Sequence, residues 1–197
     1  MSAEKRLVIA SDFDGTLTHV DTLLHFIIYV KGWWRFVLGF ILFSPILVLM
    51  KLHLYDNGKS KQQLFSYFFR GMPYEQFAQY GSEFASYVDT IKRNDTLGKI
   101  KALWKPGCIV YVVSASIEEW VRPWCEKQGF EVIGTQVEID DKGLLTGRFS
   151  TKNCYGQEKV NRLLEVEPLR EGYVLYAFGD SNGDKDLLSF ADKGERV

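Results

Sequence analysis

Residues 7–18 read LVIASDFDGTLT, an apolar run that ends abruptly in acidic and turn-forming residues. The run over residues 7–11 is typical of a short strand that is covered on both faces of a parallel sheet. Asp12 and Asp14 follow it, two positions apart. Because side chains of an extended chain alternate, both carboxylates are expected on the same side at the carboxyl end of this strand.

Two later apolar runs repeat this arrangement. Residues 108–114 (CIVYVVS) end in Ser-Ala-Ser, and residues 173–178 (YVLYAF) end in Gly-Asp-Ser-Asn-Gly-Asp. The patterns around them predict helices at 117–128, 156–166 and 184–191, a short strand at 129–133 and a β-hairpin at 135–149. Strands that alternate with helices predict an α/β fold with a doubly wound, Rossmann-like and mostly parallel sheet.

The alternation stops between the first and second runs. Here the sequence predicts consecutive helices at 21–31, 33–52, 59–70, 73–93 and 95–104. Pro45 is expected to kink or break the second of these helices. We therefore predict a core formed by residues 1–18 and 105–197, with residues 19–104 inserted after the first strand as a helical cap.

The composition excludes several classes of protein. Hydrophobic residues make up 46% and charged residues 25%, which is typical of a globular chain rather than a disordered one. The net charge of −1 gives no general electrostatic reason to bind nucleic acid. The three cysteines lack metal-ligand spacing, and residues 7–10 are too short for a secretory signal, so a cytoplasmic location is expected.

The polar clusters after the three strands are expected to meet, because ligands of such sheets bind beyond the carboxyl ends of the strands. The clusters after the first and third strands would thus bring together Asp12, Asp14, Asp180 and Asp184. Two carboxylates about 4 Å apart repel by roughly 4 kcal/mol at an effective dielectric constant of 20, so a cation is expected between them. Carboxylate oxygens favour a hard ion such as Mg²⁺. The alternative is that these residues only cap helices and form turns.

An anion site is predicted beside these acids. Ser114 ends the second strand, and together with Ala115 and the following helix N-terminus it offers a hydroxyl and free N–H groups. Lys159 would supply positive charge to a phosphoryl group there. The alternatives are a plain helix cap for Ser114 and a solvated lysine for Lys159.

Four segments in order resemble the motifs of the haloacid dehalogenase-like (HAD) superfamily. Residues 12–18 (DFDGTLT) resemble its first motif, Ser114 its second, Lys159 its third and residues 179–184 (GDSNGD) its fourth. The helical insertion between the first two motifs resembles the phosphoserine phosphatase-like subgroup (subfamily IB). Its apolar character is similar to that of phosphatidylglycerophosphatase C-like proteins.

This resemblance implies a Mg²⁺-dependent phosphomonoester hydrolase that acts through an aspartyl-phosphate. Asp12 would be the nucleophile and Asp14 the general acid and base. The other implied roles are metal binding by Asp12, the backbone carbonyl of Asp14 and Asp180; phosphate binding by Ser114, Ala115, Lys159 and Gly15; and support by Thr16 and Asp184.

The substrate is not determined by these motifs. By its resemblance to phosphoserine phosphatases, which carry an acid at the matching place, Asp21 would meet a substrate amine; alternatively, it caps the helix that follows it. Arg35 and Arg70 are candidates for binding a substrate carboxylate. Phosphoserine represents one class of substrate, and a lipid phosphate represents the other.

An uncharged run over residues 36–50 leaves two interpretations of the cap open. It is shorter than the roughly 20 residues of a membrane span, which favours a buried cap core or a homodimer contact. Alternatively, residues 33–52 contact a membrane surface at the inner face of the membrane, with Trp33, Trp34 and Tyr55 near the interface.

Two further functions belong to other classes of protein. A phospho-accepting receiver-like module also uses a doubly wound sheet with acids, a hydroxyl and a lysine, but it lacks a long helical insertion. A catalytically silent, membrane-associated interaction protein is the other alternative.

Overall fold

The computed structural model describes residues 5–51 and 56–197, and for residues 46–51 it describes the backbone only. The strands are β1 (Arg6–Ser11), β2 (Ile109–Ile117), β3 (Glu131–Thr135), β4 (Val137–Ile139), β5 (Leu145–Phe149), β6 (Tyr173–Gly179) and β7 (Lys193–Arg196). The helices are α1 (Thr22–Lys31), α2 (Trp33–Lys51), α3 (Asn57–Phe69), α4 (Tyr74–Ile91), α5 (Asn94–Leu103), α6 (Glu118–Gln128), α7 (Gln157–Val166) and α8 (Lys185–Phe190).

Five strands form a parallel sheet in the order β3-β2-β1-β6-β7. The side chains of β1 alternate between two hydrophobic clusters. Leu7 and Ile9 join the larger cluster with residues of α4, α5 and α6, whereas Val8 and Ala10 pack with residues of α7 and α8. Helices therefore cover both faces, and the predicted doubly wound sheet is confirmed.

The cap has an aromatic core of its own. The ring of Phe26 on α1 lies 5.7 Å from that of Phe69, 5.5 Å from that of Phe77 and 5.2 Å from that of Phe84. It also stacks on Trp120 of α6, at 4.7 Å. Since aromatic pairs add to the stability that burial already gives, this cluster fixes the cap helices to each other and to α6.

Two antiparallel linkers connect the cap to the sheet. Thr18 forms a β-bridge with Lys92, His19 N donates to Ile91 O at 2.9 Å, and Arg93 N donates to Leu17 O at 2.7 Å. The cap therefore begins and ends at neighbouring points beside the first motif.

Three sequence predictions need correction. The helix α2 continues through Pro45 instead of breaking there, and the Ser44 hydroxyl donates to the carbonyl of Ile41, which the missing N–H of proline leaves unpaired. Strand β2 does not stop at Ser114 but extends to Ile117. The last strand, Lys193–Arg196, was not predicted, because it is a fully exposed polar edge strand without an apolar pattern.

Candidate active site

The polar residues after β1 and β6 and those near the end of β2 converge at one edge of the sheet. They line a cavity of about 700 Å³ between the sheet and the cap. The predicted residues on its wall are Asp12, Asp14, Gly15, Asp21, Ser114, Ala115, Lys159 and Asp180. A cavity of this size is large enough for a small organic ligand.

Lys159 is the buried cation of the site. Its Nζ lies 2.7 Å from Oδ1 of Asp12 and 2.5 Å from Oδ1 of Asp184, and its side chain is only 2% exposed. Burial by itself lowers the pKa of an ammonium group, but the two carboxylates outweigh burial here and raise the pKa of Lys159. Lys159 is therefore a fixed positive charge beside Asp12, and not a solvated lysine.

Both carboxylate oxygens of Asp184 accept hydrogen bonds from other residues of the site. Besides the bond from Lys159, its Oδ2 accepts from the backbone N of Ser181 at 3.0 Å, from the Ser181 hydroxyl at 2.7 Å and from Asp180 N at 3.3 Å. The burial of this carboxyl opposes ionisation, yet the charge of Lys159 and these donors hold its pKa below the ordinary value. Asp184 therefore shapes the loop that carries Asp180 and orients Lys159.

Three carboxylates could hold a metal ion. One oxygen each of Asp12, Asp180 and Asp184 lie within 4.8 Å of one another. Thr16 donates to Oδ1 of Asp180 at 3.2 Å. Gly15 packs so tightly that a Cβ there would lie 2.3 Å from Oδ2 of Asp180. The hard oxygen donors fit Mg²⁺, and Asp12 and Asp180 have the fewest competing bonds.

The carboxylate of Asp14 is not part of this cluster. Its Oδ1 accepts from the backbone N and Oγ1 of Thr22, at 2.8 and 2.6 Å, and its Oδ2 accepts from the Ser116 hydroxyl at 2.5 Å. Burial, followed by the charge of Asp21, raises the pKa of Asp14 to about 7. A carboxyl group with such a pKa exchanges a proton readily near neutral pH.

Ser114 lies where the sequence places it, but its surroundings differ from the prediction. The Ser114 hydroxyl accepts from Ser116 N at 3.1 Å, within β2. The helix predicted at 117–128 begins at Glu118, and the residues between Ser114 and its N-terminus still belong to β2. Any anion binding here relies on the Ser114 hydroxyl and on the backbone of Ala115 within β2.

Asp21 caps α1: its Oδ1 accepts from the backbone N atoms of Leu23 and Leu24, at 2.9 and 3.4 Å. This favours the capping interpretation, although the residue also borders the cavity. Arg35 and Arg70 do not line the cavity, and both are exposed.

Two cap residues reach the site without having been predicted. Lys61 on α3 lines the cavity and donates to the carbonyl of Ala115 at 2.9 Å. Arg93 donates to the carbonyl of Gly15 at 2.7 Å and so holds the loop after Asp12. Neither belongs to a recognisable motif, and only the packing of the cap on the sheet brings them here.

The described part of α2 presents an unpartnered apolar face. The side chains of Trp34, Leu38, Ile41 and Leu42 are each more than 60% exposed, and Phe40 is 40% exposed while it also lines the cavity. Tyr55 lies outside the described residues. Within those residues, no helix combines the length and the apolar character needed to cross a membrane.

A doubly wound α/β protein with a helical cap and an acid cluster at the cap-facing edge of its sheet has the architecture of a capped hydrolase. Residues 9–189 match the family model described as haloacid dehalogenase-like hydrolase. The chain belongs to this family, as its motifs predicted. Membership in this family rules out the alternative of a receiver-like module.

The chain is also similar in sequence to one known protein and in fold to two solved structures. The protein CicA of Caulobacter vibrioides is 31% identical over 197 residues, which cover 97% of this chain and 86% of CicA. A Bordetella pertussis protein of unknown function superposes with a TM-score of 0.76 and 16% identity, covering 96% of this chain and 88% of that one. A substrate-bound phosphoserine phosphatase superposes with a TM-score of 0.63 and 18% identity, covering 97% and 84%. The two structural likenesses concern the fold.

Proposed function

We propose that the protein is a Mg²⁺-dependent phosphomonoesterase that works through an aspartyl-phosphate on Asp12. The observation that carries the proposal is the buried contact between Asp12 and Lys159, at the bottom of a cavity that also contains Asp14, Ser114 and Asp180. A carboxylate nucleophile needs a cation beside it to accept a phosphoryl group, which is itself anionic. In this proposal residues 1–18 and 105–197 form the catalytic core, and residues 19–104 form the cap.

The chemistry proceeds in two balanced steps. In the first, an oxygen of Asp12 forms a bond to phosphorus, the ester P–O bond breaks, and Asp14 gives its proton to the leaving oxygen. In the second, water attacks phosphorus, the bond to Asp12 breaks, and Asp14 takes the proton of the water. Ser114 and Lys159 bind the phosphoryl oxygens throughout.

The residues present fit a bound Mg²⁺. Asp12, Asp180 and the backbone carbonyl of Asp14 would hold the ion, with Asp184 and Thr16 in support. When bound, Mg²⁺ supplies positive charge that screens the phosphoryl group from the carboxylates around it.

The direct test is release of phosphate from p-nitrophenyl phosphate, with and without Mg²⁺. We expect turnover that depends on Mg²⁺ and is absent from the Asp12→Asn variant. A protein that releases no more phosphate than this variant would instead support the catalytically silent alternative.

The exposed face of α2 favours an amphipathic phosphomonoester over a small one. Phe40, on another side of the same helix, is 40% exposed and lines the cavity wall, so α2 carries an exposed apolar face and also borders the mouth of the site. Trp33 and Trp34 suit the interface of a bilayer, and the exposed Arg35 would meet anionic headgroups. We therefore propose a lipid phosphate as substrate, with contact at the inner face of the membrane.

Two measurements separate this proposal from its alternatives. Phosphate release should be faster from a lysophosphatidate in mixed micelles than from phosphoserine. Binding to anionic vesicles should fall in Trp34→Ser and persist in Trp104→Ser, whose tryptophan is 61% exposed but lies after α5. Vesicle binding that is absent in the wild type, together with dimers in light scattering, would assign the α2 face to a second copy of the chain.

A further inference from the structure

The carboxylate of Asp14 is held from two sides of the molecule. Thr22, the first residue of α1, gives it two hydrogen bonds, through its backbone N at 2.8 Å and its Oγ1 at 2.6 Å. Ser116, near the end of β2, gives it a third at 2.5 Å. The orientation of this group therefore depends jointly on a cap helix and on a strand of the sheet.

The directions of these hydrogen bonds follow from counting protons. The indole Nε1 of Trp120 can only donate, and it donates to Oγ1 of Thr22 at 3.1 Å. The single proton of the Thr22 hydroxyl is thereby left for Asp14. The Thr22 and Ser116 oxygens lie 3.3 Å apart, but with both protons directed to Asp14 neither hydroxyl donates to the other.

The network excludes water on the side away from the cavity. Thr22, Ser116 and Trp120 are all fully buried, at 0% exposure. The indole of Trp120 is fixed by its stacking on Phe26 at 4.7 Å. Water cannot replace a lost hydroxyl without opening the core, so each donor has a defined effect on Asp14.

We propose that Thr22 and Ser116 are positioning residues for Asp14, and that Trp120 orients Thr22. The inference rests on the proposed function, in which Asp14 transfers a proton in both steps. The three hydrogen bonds fix the orientation of the Asp14 carboxyl plane. Oδ2 accepts only one of these bonds, which leaves a lone pair on it for the proton that moves to the leaving oxygen. Proton transfer needs this alignment, whereas substrate binding does not.

The test compares two leaving groups in single-turnover kinetics. p-Nitrophenolate leaves without a proton, whereas the alkoxide from a lysophosphatidate or phosphoserine needs one; whichever of the two the wild type hydrolyses faster is used. In Thr22→Val and Ser116→Ala we expect phosphoenzyme formation from the alkyl phosphate to slow by about 10- to 100-fold. Formation from p-nitrophenyl phosphate and the KM of both substrates should change less than about threefold.

Matched controls separate positioning from damage to the fold. Thr96→Val removes a buried hydroxyl that has no partner among the described residues, and it should leave both rates unchanged. Thr22→Ser keeps the hydroxyl and should recover most of the alkyl phosphate rate. Trp120→Phe removes the hydrogen bond to Thr22, so it should slow the reaction of the alkyl phosphate, though less than Thr22→Val does. Trp124→Phe removes a hydrogen bond to Asp89 and should leave that rate unchanged.

The possible results have distinct meanings. Equal slowing of both substrates, or of neither, overturns the positioning role of Thr22 and Ser116. A wild-type protein that releases phosphate from neither substrate overturns the proposed function itself. If Thr22→Val does not fold, the comparison of Thr22→Ser and Ser116→Ala with the wild type decides the question.

Discussion

Nζ of Lys159 lies 2.7 Å from Oδ1 of Asp12, although 147 residues separate the two positions in the chain. Both side chains are buried, so the pair exists only because α7 packs beside the end of β1. The Lys159 ammonium also forms an ion pair with Asp184, so one buried cation is shared by two buried carboxylates beneath the cavity. Replacing any member changes both the stability and the chemistry of the site.

Asp12→Asn should abolish turnover and leave the fold intact. The amide is isosteric and still accepts a bond from Lys159, but it is not a nucleophile. We expect phosphate release to fall by at least about 1,000-fold. The measurement is phosphate release together with the melting temperature. Full activity in this variant would contradict the assignment of the nucleophile.

Lys159→Met should unfold more easily than the wild type. It leaves the buried carboxylates of Asp12 and Asp184 without their counter-charge, and such losses cost about 3 kcal/mol. Denaturant titrations with and without Mg²⁺ measure the effect. We expect the ion to restore part of the free energy of unfolding, since it supplies positive charge near the same carboxylates. The exposed Lys185, replaced in the same way, is the control.

Gly15→Ala should disturb the acid cluster specifically. Gly15 has φ +73°, and a Cβ there would lie 2.3 Å from Oδ2 of Asp180. We expect a loss of about 1–2 kcal/mol from the left-handed backbone alone, and in addition weaker Mg²⁺ activation because Asp180 must move. Gly143→Ala is the matched control: its φ is +75°, but nothing lies within 4 Å of the new methyl group. Equal Mg²⁺ dependence in the two variants would argue against a role for Asp180 in metal binding.

Glu119 should make the stability of the fold depend on pH. Burial raises the pKa of Glu119 from 4.5 to about 7, and Oε2 of this residue is buried without a partner among the described residues. Between pH 4.5 and 7 the folded state therefore binds more protons than the unfolded state, so this contribution to stability is full below pH 4.5 and is lost as the pH rises through 7.

Glu119→Gln removes the cost of ionising this group. The variant should gain about 1–2 kcal/mol over the wild type at pH 8 and much less at pH 5, as measured by denaturant titrations at both pH values. Glu126→Gln, on the exposed side of the same helix, serves as the control. A gain that is the same at both pH values would mean that packing, and not ionisation, limits stability at this position.

The fold class and the acid set could be predicted because they follow from short-range patterns. Apolar runs such as residues 7–11 identify strands, and in a parallel sheet the carboxyl ends of neighbouring strands must meet. The sequence therefore predicts that Asp12 and Asp180 lie together. The break expected at Pro45 does not occur: α2 continues through it, the Ser44 hydroxyl donates to the carbonyl that proline leaves unpaired, and such a local hydrogen bond leaves no periodic signal.

The sequence by itself determined the doubly wound α/β class, the insertion of helices after the first strand and the candidate acids. Only the tertiary structure brought Lys61 and Arg93 to the site, directed Asp14 towards Thr22 and Ser116, and left the apolar face of α2 uncovered. The physical reason is that a motif records which residues follow one another along one strand or turn. The contacts of a cap residue depend on how whole helices pack, and that packing is decided by aromatic contacts such as Phe26 on Trp120, between residues far apart in the chain.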